Sequence, residues 1–222
     1  MLYVLPFIAV AIGYFISRFI KPGSSAGFQL LLSFSGAFLL SVTVFELLPD
    51  VFDSGVEEIG IFIMGGLLLQ IFLEFLSKGV EHGHMHHHED RVKFPFLLLF
   101  SLSLHALLEG FPLSSSDSLL HGVVIHKIPV AAILSTFLLH SKIGKFKSFL
   151  FLAIFALMTP LGSWINSAFE ISSAIAVYMS AVVIGIFLHV STTILFEASK
   201  NHSFNASKLA VVVLGIILAY LL

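Results

Sequence analysis

The sequence predicts an all-α membrane protein with eight transmembrane helices in a single domain, residues 1–222. Three observations lead there. Of the 222 residues, 58% are hydrophobic and only 11% charged, against roughly 25% charged in a soluble domain. The apolar residues fall into eight runs, each near the ~20 residues a helix needs to cross a ~30 Å hydrocarbon layer. Lys and Arg are confined to alternate connections between those runs. Helices are preferred to strands because backbone groups in lipid must be satisfied within the segment, and the runs are too long for barrel strands. Cys is absent, which excludes a disulfide framework and thiolate metal sites. No glycine fingerprint follows a strand, so nucleotide-driven chemistry is not expected.

The first run covers about 2–20. Arg18, Lys21, Pro22 and Gly23 follow it rather than a small-residue cleavage site, so it reads as a helix and not a secretory signal. The second (28–50) ends at Pro49-Asp50, and the third (57–79) holds Gly65-Gly66 and Glu74. A His-rich loop (80–92) separates it from the fourth (94–115). Ser114-Ser115-Ser116-Asp117 turns the chain into the fifth (117–140). The sixth, seventh and eighth cover 148–169, 171–198 and 207–222; the last is short enough to end at the interface.

Arg18 and Lys21, then Lys78, Arg91 and Lys93, then Lys142, Lys145 and Lys147, and finally Lys200 and Lys208 all fall on one side of this arrangement. Asp50, Asp53, Glu57, Glu58, Asp117 and Glu170 fall on the other. The positive-inside rule puts the basic loops in the cytoplasm and both termini outside. An odd number of spans would scramble the segregation. The acidic loops could attract cations or be plain solvated surface. The expected location is a bacterial plasma (inner) membrane.

Ionisable residues inside hydrocarbon are costly and are functional hypotheses by default. His105 and Glu109 lie in the fourth run and His126 in the fifth. Each histidine is about ten residues from the connecting turn, which at ~1.5 Å per residue places both roughly 15 Å deep, near the middle of a ~30 Å core. His105 and Glu109 are four apart and share a helix face, which Ser101 extends. Imidazole and carboxylate suit zinc and other borderline divalent ions. Three protein ligands plus water would leave an exchangeable position, as transport requires. Pro112 and Pro129 cannot donate to the carbonyls of Leu108 and Ile125, so each predicts a kink and a free oxygen near the site, or else a packing kink. Lys127 must be neutral, snorkel, or pair with a carboxylate such as Glu109; it could supply the charge that a second metal would otherwise supply.

The tract Glu81-His82-Gly83-His84-Met85-His86-His87-His88-Glu89-Asp90 is a low-complexity metal-binding composition. It reads as an adaptable receiver for metal or as a plain linker. Glu46, Glu74, His189 and Glu197 near other span ends are expected in structural pairs or at the interface, with Glu46 and His189 kept as accessory ligand or relay candidates. His121 is about 140° around the helix from His126. Gly36, Gly65, Gly66, Gly162 and Gly185 are expected to allow close helix packing.

These residues resemble the ZIP (Zrt/Irt-like) family of divalent metal transporters. Residues 35–50, ending Glu46-Leu-Leu-Pro-Asp50, are similar to the family's Gly-rich helix ending His-Leu-Leu-Pro-Glu. Gly65-Gly66 through Glu74 resembles the third helix, His105-x-x-x-Glu109-Gly110 the fourth-helix metal motif, and His126-Lys127-Ile128-Pro129 the fifth-helix motif. Thr159-Pro160-Leu161-Gly162 and Gly185 through His189 are similar to segments of helices six and seven. The resemblance implies an inverted repeat of helices 1–3 and 6–8 around a central 4–5 pair, elevator-type alternating access, and His105, Glu109 and His126 as metal ligands. The chain departs from the family at Val130, where many members have a carboxylate, and at Lys127, which fills a second-metal ligand position.

The expected function is therefore transport of a divalent cation, zinc first, into the cytoplasm, with metal as substrate and no cofactor. The partners are metal ions and the lipid bilayer, with no nucleic acid; a homodimer is compatible with the sequence. The alternatives are an intramembrane metal-dependent hydrolase, which would use the same residues, and a non-transporting metal sensor. A His-Glu-x-x-His helix is missing, so an enzyme is not expected.

Overall fold

The computed structural model describes residues 3–19, 26–77, 94–114, 116–169, 171–197 and 206–222. The regular structure among them is helical, without strands. In chain order the helices are α1 (Leu5–Phe19), α2 (Ala26–Asp53), α3 (Ile59–Ser77), α4 (Phe96–Glu109), α5 (Asp117–His140), α6 (Lys145–Ala168), α7 (Ser173–Glu197) and α8 (Ala206–Leu221). Six helical segments are long and apolar enough to cross a membrane: Ala26–Asp53, Ile59–Ser77, Phe96–Ser114, Asp117–His140, Lys145–Ala168 and Ser173–Phe196. α1 and α8 are apolar but shorter, with 15 and 16 residues, or about 23 Å at ~1.5 Å per residue. The chain is an integral membrane protein. The exposed faces carry large apolar side chains such as Phe15, Phe72, Phe100, Phe149 and Tyr220, the composition a lipid-facing surface requires.

The helices pack in four principal pairs: α3 along α7, α1 along α5, α2 along α8, and α4 along α6. Two large apolar clusters result, with a small third one of Phe28, Ala132 and Ile133 between α2 and α5. One joins Phe38, Leu39 and Val42 of α2 to Leu119 and Val123 of α5 and to Ile184, Phe187 and Val190 of α7. The other joins Val10 of α1, Leu102 and Ala106 of α4, Leu134 and Leu138 of α5, and Phe151 and Phe155 of α6. α5 contributes its first half to one cluster and its second half to the other, which accounts for the burial of 16 of its 24 residues.

Several buried hydroxyls are satisfied within their own helix. Ser41 donates to the Ala37 carbonyl (2.7 Å), Thr43 to Leu39 (2.7 Å) and Thr136 to Ala132 (2.9 Å), so the helix absorbs its own polar side chains. Close approach depends on particular glycines. A Cβ on Gly66 would overlap the Val182 backbone and one on Gly185 the Ile63 carbonyl, so α3 and α7 touch through their backbones. Gly110 and Gly162 do the same for the end of α4 and α6. Gly65, expected in such a contact, faces open space instead.

The fourth span differs from expectation. α4 stops at Glu109 with Gly110 as its C-cap, and a 3₁₀ turn, Phe111–Ser114, follows. Pro112 lies in that turn and so kinks no helix. Pro129 stays inside an unbroken α5. The His-rich tract (His82, His84, His86, His87, His88), Lys21, Lys78, Arg91, Lys93, Ser115, Glu170 and Lys200 lie outside the described residues.

Candidate metal centre

α4, α5 and α6 bring a set of polar side chains together in an otherwise apolar interior. His105 is 3% exposed, Glu109 1%, His126 2% and Lys127 1%. His105 and Glu109 share one face of α4, with Nε2 3.5 Å from Oε2. The ring of His126, from α5, stands edge-on to that of His105 with centroids 6.4 Å apart. The imidazoles therefore face a common interior space across the α4–α5 hairpin.

Gln70 of α3 fixes the orientation of His105: its amide oxygen lies 3.1 Å from Nδ1. An amide oxygen only accepts, so Nδ1 carries the proton. A neutral ring then turns the Nε2 lone pair toward the Glu109 carboxylate, so two acceptors face each other at 3.5 Å. A proton, a donating water or a metal cation would relieve that juxtaposition. Ser101, one turn away on the same face, donates to the Leu73 carbonyl at 2.6 Å and ties α4 to α3.

The other carboxylate oxygen of Glu109 is saturated. Lys127 of α5 donates to Oε1, Thr159 of α6 donates to it at 2.6 Å, and Lys127 also donates to Thr159 at 2.7 Å. The ammonium sits 4.5 Å above the Phe155 ring, a cation–π contact that offsets part of its desolvation. Glu109 is the last residue of α4, where the helix dipole disfavours an anion, and Lys127 compensates. The close backbone approach at Gly110 and Gly162 brings Thr159 within reach. Thr159, Gln70 and Phe155 were not singled out in the sequence as site residues. Gln70 carries a signal, an amide in a strongly apolar run; Thr159 and Phe155 carry none.

Among the described residues, no three His, Cys, Asp or Glu side chains are arranged closely enough to hold an ion as they stand. The accessory candidates are engaged in other contacts. His189 of α7 meets Glu74 of α3, Nε2 to Oε2, at 2.6 Å, both side chains partly exposed. Glu46 lies in a π-helical stretch of α2, Thr43–Leu47, and accepts from Ser116, the N-cap of α5, at 2.5 Å. His121 is exposed.

No protein-family model matches the chain. Among curated proteins it is similar to Protein zntD of Dictyostelium discoideum, 27% identical over 150 residues, a match covering 58% of this chain and 22% of that protein. The chain thus spans under a quarter of that relative's length.

Proposed function

We propose that this chain is a divalent-cation transporter of the ZIP type, moving zinc into the cytoplasm by alternating access. The observation that supports it is the buried position of His105 between two other candidate ligands, 3.5 Å from Glu109 and with its ring centroid 6.4 Å from that of His126. A divalent ion cannot enter hydrocarbon bare, and this set could replace part of its water shell. Lys127 holds Glu109 where a second metal would otherwise do so, which makes a one-metal site. The distant likeness to zntD supports metal transport in general terms.

The packing supports the rest of the family architecture. An eight-span inverted repeat exchanges α1–α3 with α6–α8 and α4 with α5. Under that exchange the α1–α5 pair becomes α6–α4, and the α2–α8 pair becomes α7–α3, which are the four principal packings. The site side chains sit on α4, α5 and α6, within the block formed with α1. Gln70 reaches them from α3, across the seam to the other block. Sliding one block along the other would carry the ligands from one side to the other. Both termini outside, with the His-rich tract as a cytoplasmic receiver, complete the proposal.

The test uses purified protein in sealed liposomes containing a chelating dye. Zinc influx in wild type and its loss in His105→Ala are expected. Metal binding without flux would favour a sensor, and cleavage of a lipid or peptide substrate would favour the hydrolase.

A further inference from the structure

A groove of about 730 Å³ runs between α1, α5 and α6, on the side of α5 away from the first cluster. Its walls are apolar over most of their length, including Phe7, Val10, Phe15, Leu152 and Ala156. Its volume falls within the roughly 300–1,000 Å³ of small-ligand pockets. At one end it opens into a second, more polar hollow of about 450 Å³ lined by Ser17, His140, Ser141 and Gly144. Arg18, Leu138, Leu139, Lys145 and Ser148 line both. The turn that closes the polar end needs Gly144 at φ +88°, a left-handed conformation.

The chemistry of the two parts differs sharply. The polar end has two cations, Arg18 and Lys145, and neither has a carboxylate partner among the described residues. Its neutral polar groups are occupied locally: Ser17 with the Tyr14 carbonyl, Ser141 with Leu138, Ser148 with Gly144, and His140 Nδ1 with the Thr136 carbonyl at 2.8 Å. Along the apolar part, Ser135 is fully buried and lines the groove, and its hydroxyl has no partner among the described residues. Ser135 is five residues before His140, about 7.5 Å deeper at ~1.5 Å per residue.

We propose that this groove binds one anionic phospholipid, its phosphate over Arg18 and Lys145 and an acyl chain in the apolar channel. Two uncompensated cations at the mouth of an apolar channel match a molecule with an anion at one end and hydrocarbon at the other. A zwitterionic headgroup carries its own ammonium and would leave one of the cations without benefit. Basic pockets between membrane helices are suited to acidic headgroups for the same reason. The site is independent of the buried His105–Glu109 centre.

Native mass spectrometry of the full chain in detergent, titrated separately with phosphatidylglycerol and phosphatidylcholine, tests it. Wild type is expected to retain phosphatidylglycerol preferentially. Arg18→Gln/Lys145→Gln should weaken that adduct about thirtyfold, from roughly fivefold per basic residue, and leave phosphatidylcholine unchanged. Lys142→Gln/Lys147→Gln, close in sequence but not lining the groove, should change nothing. Ala11→Trp fills the apolar channel without touching a charge and should reduce binding, which keeps the proposal testable if the double variant fails to fold. Equal retention of both lipids overturns the proposal, as does equal loss in the Lys142/Lys147 control. Displacement by inorganic phosphate alone would mark a free-anion site instead. A lipid-free dimer abolished by Ala11→Trp would mark a second copy as the occupant.

Discussion

Lys127 and Glu109 form a buried ion pair, so removing one partner leaves a charge without compensation. Lys127→Ala is expected to cost about 3–5 kcal/mol in the metal-free protein. If the ammonium stands in for a second metal, zinc should recover much of that loss and the bound stoichiometry should rise from one to two, read by thermal unfolding and by metal analysis. Unchanged stoichiometry and transport would remove that role. Thr159→Val tests the same oxygen more gently. It deletes a donor to Glu109 while keeping side-chain volume, and should cost about 1–3 kcal/mol in unfolding. At this scale the sequence was informative wherever a residue was ionisable. His105, Glu109, His126 and Lys127 stand out because charge in an apolar run has few structural excuses. Thr159 does not, and the amide of Gln70 is only a faint signal, because neutral polar residues are common in membrane helices and usually bond their own backbone, as Ser41 and Thr136 do here. Their role comes only from contacts with residues more than thirty positions away.

The helices themselves were readable from hydropathy, but their ends were not. α4 stops at Glu109, some six residues before the apolar run does, because the turn that follows continues the run with Phe111, Pro112 and Leu113, the last two buried. Hydropathy reports the lipid layer and not the hydrogen-bond pattern inside it. The glycines show the same limit. Gly65 and Gly66 are adjacent, yet only Gly66 meets the backbone of α7. Gly65→Ala is therefore expected to change stability by less than ~0.5 kcal/mol. Gly162→Leu must push α6 off the Leu107 carbonyl and carry Thr159 away from Glu109. It is expected to cost about 1–3 kcal/mol or more and to abolish zinc influx in liposomes, while helical content by circular dichroism stays near wild type. Ser116 both caps α5 and holds Glu46 in the π-helical stretch of α2. Ser116→Ala should lower stability by about 1 kcal/mol; a change in influx larger than that loss explains would give the Glu46 contact a part in the conformational cycle.

Over the whole molecule, the two apolar clusters and the polar seam between them divide the work. The site side chains sit on α4, α5 and α6, α3 presents Gln70 to them, and α5 contributes residues to both larger clusters. A transporter built this way needs no chemical fuel if its cargo is charged. Each elementary charge crossing the membrane gains roughly 2.3 kcal/mol per 100 mV. A +2 ion moving toward the negative side thus gains about 4.6 kcal/mol, enough for roughly a thousandfold accumulation. Proteoliposomes clamped by a potassium diffusion potential, inside negative, should concentrate zinc by about that factor at ~100 mV. They should equilibrate without gradient at zero potential and expel zinc when the sign is reversed. The same measurement decides the stoichiometry of any proton exchange. If metal binding displaces two protons that leave in the opposite direction, the net charge moved is zero and accumulation follows the pH gradient alone. If one proton leaves, the voltage dependence halves. A steep, full-charge response would mean that no proton leaves in exchange for zinc, so that both charges of the cation cross uncompensated.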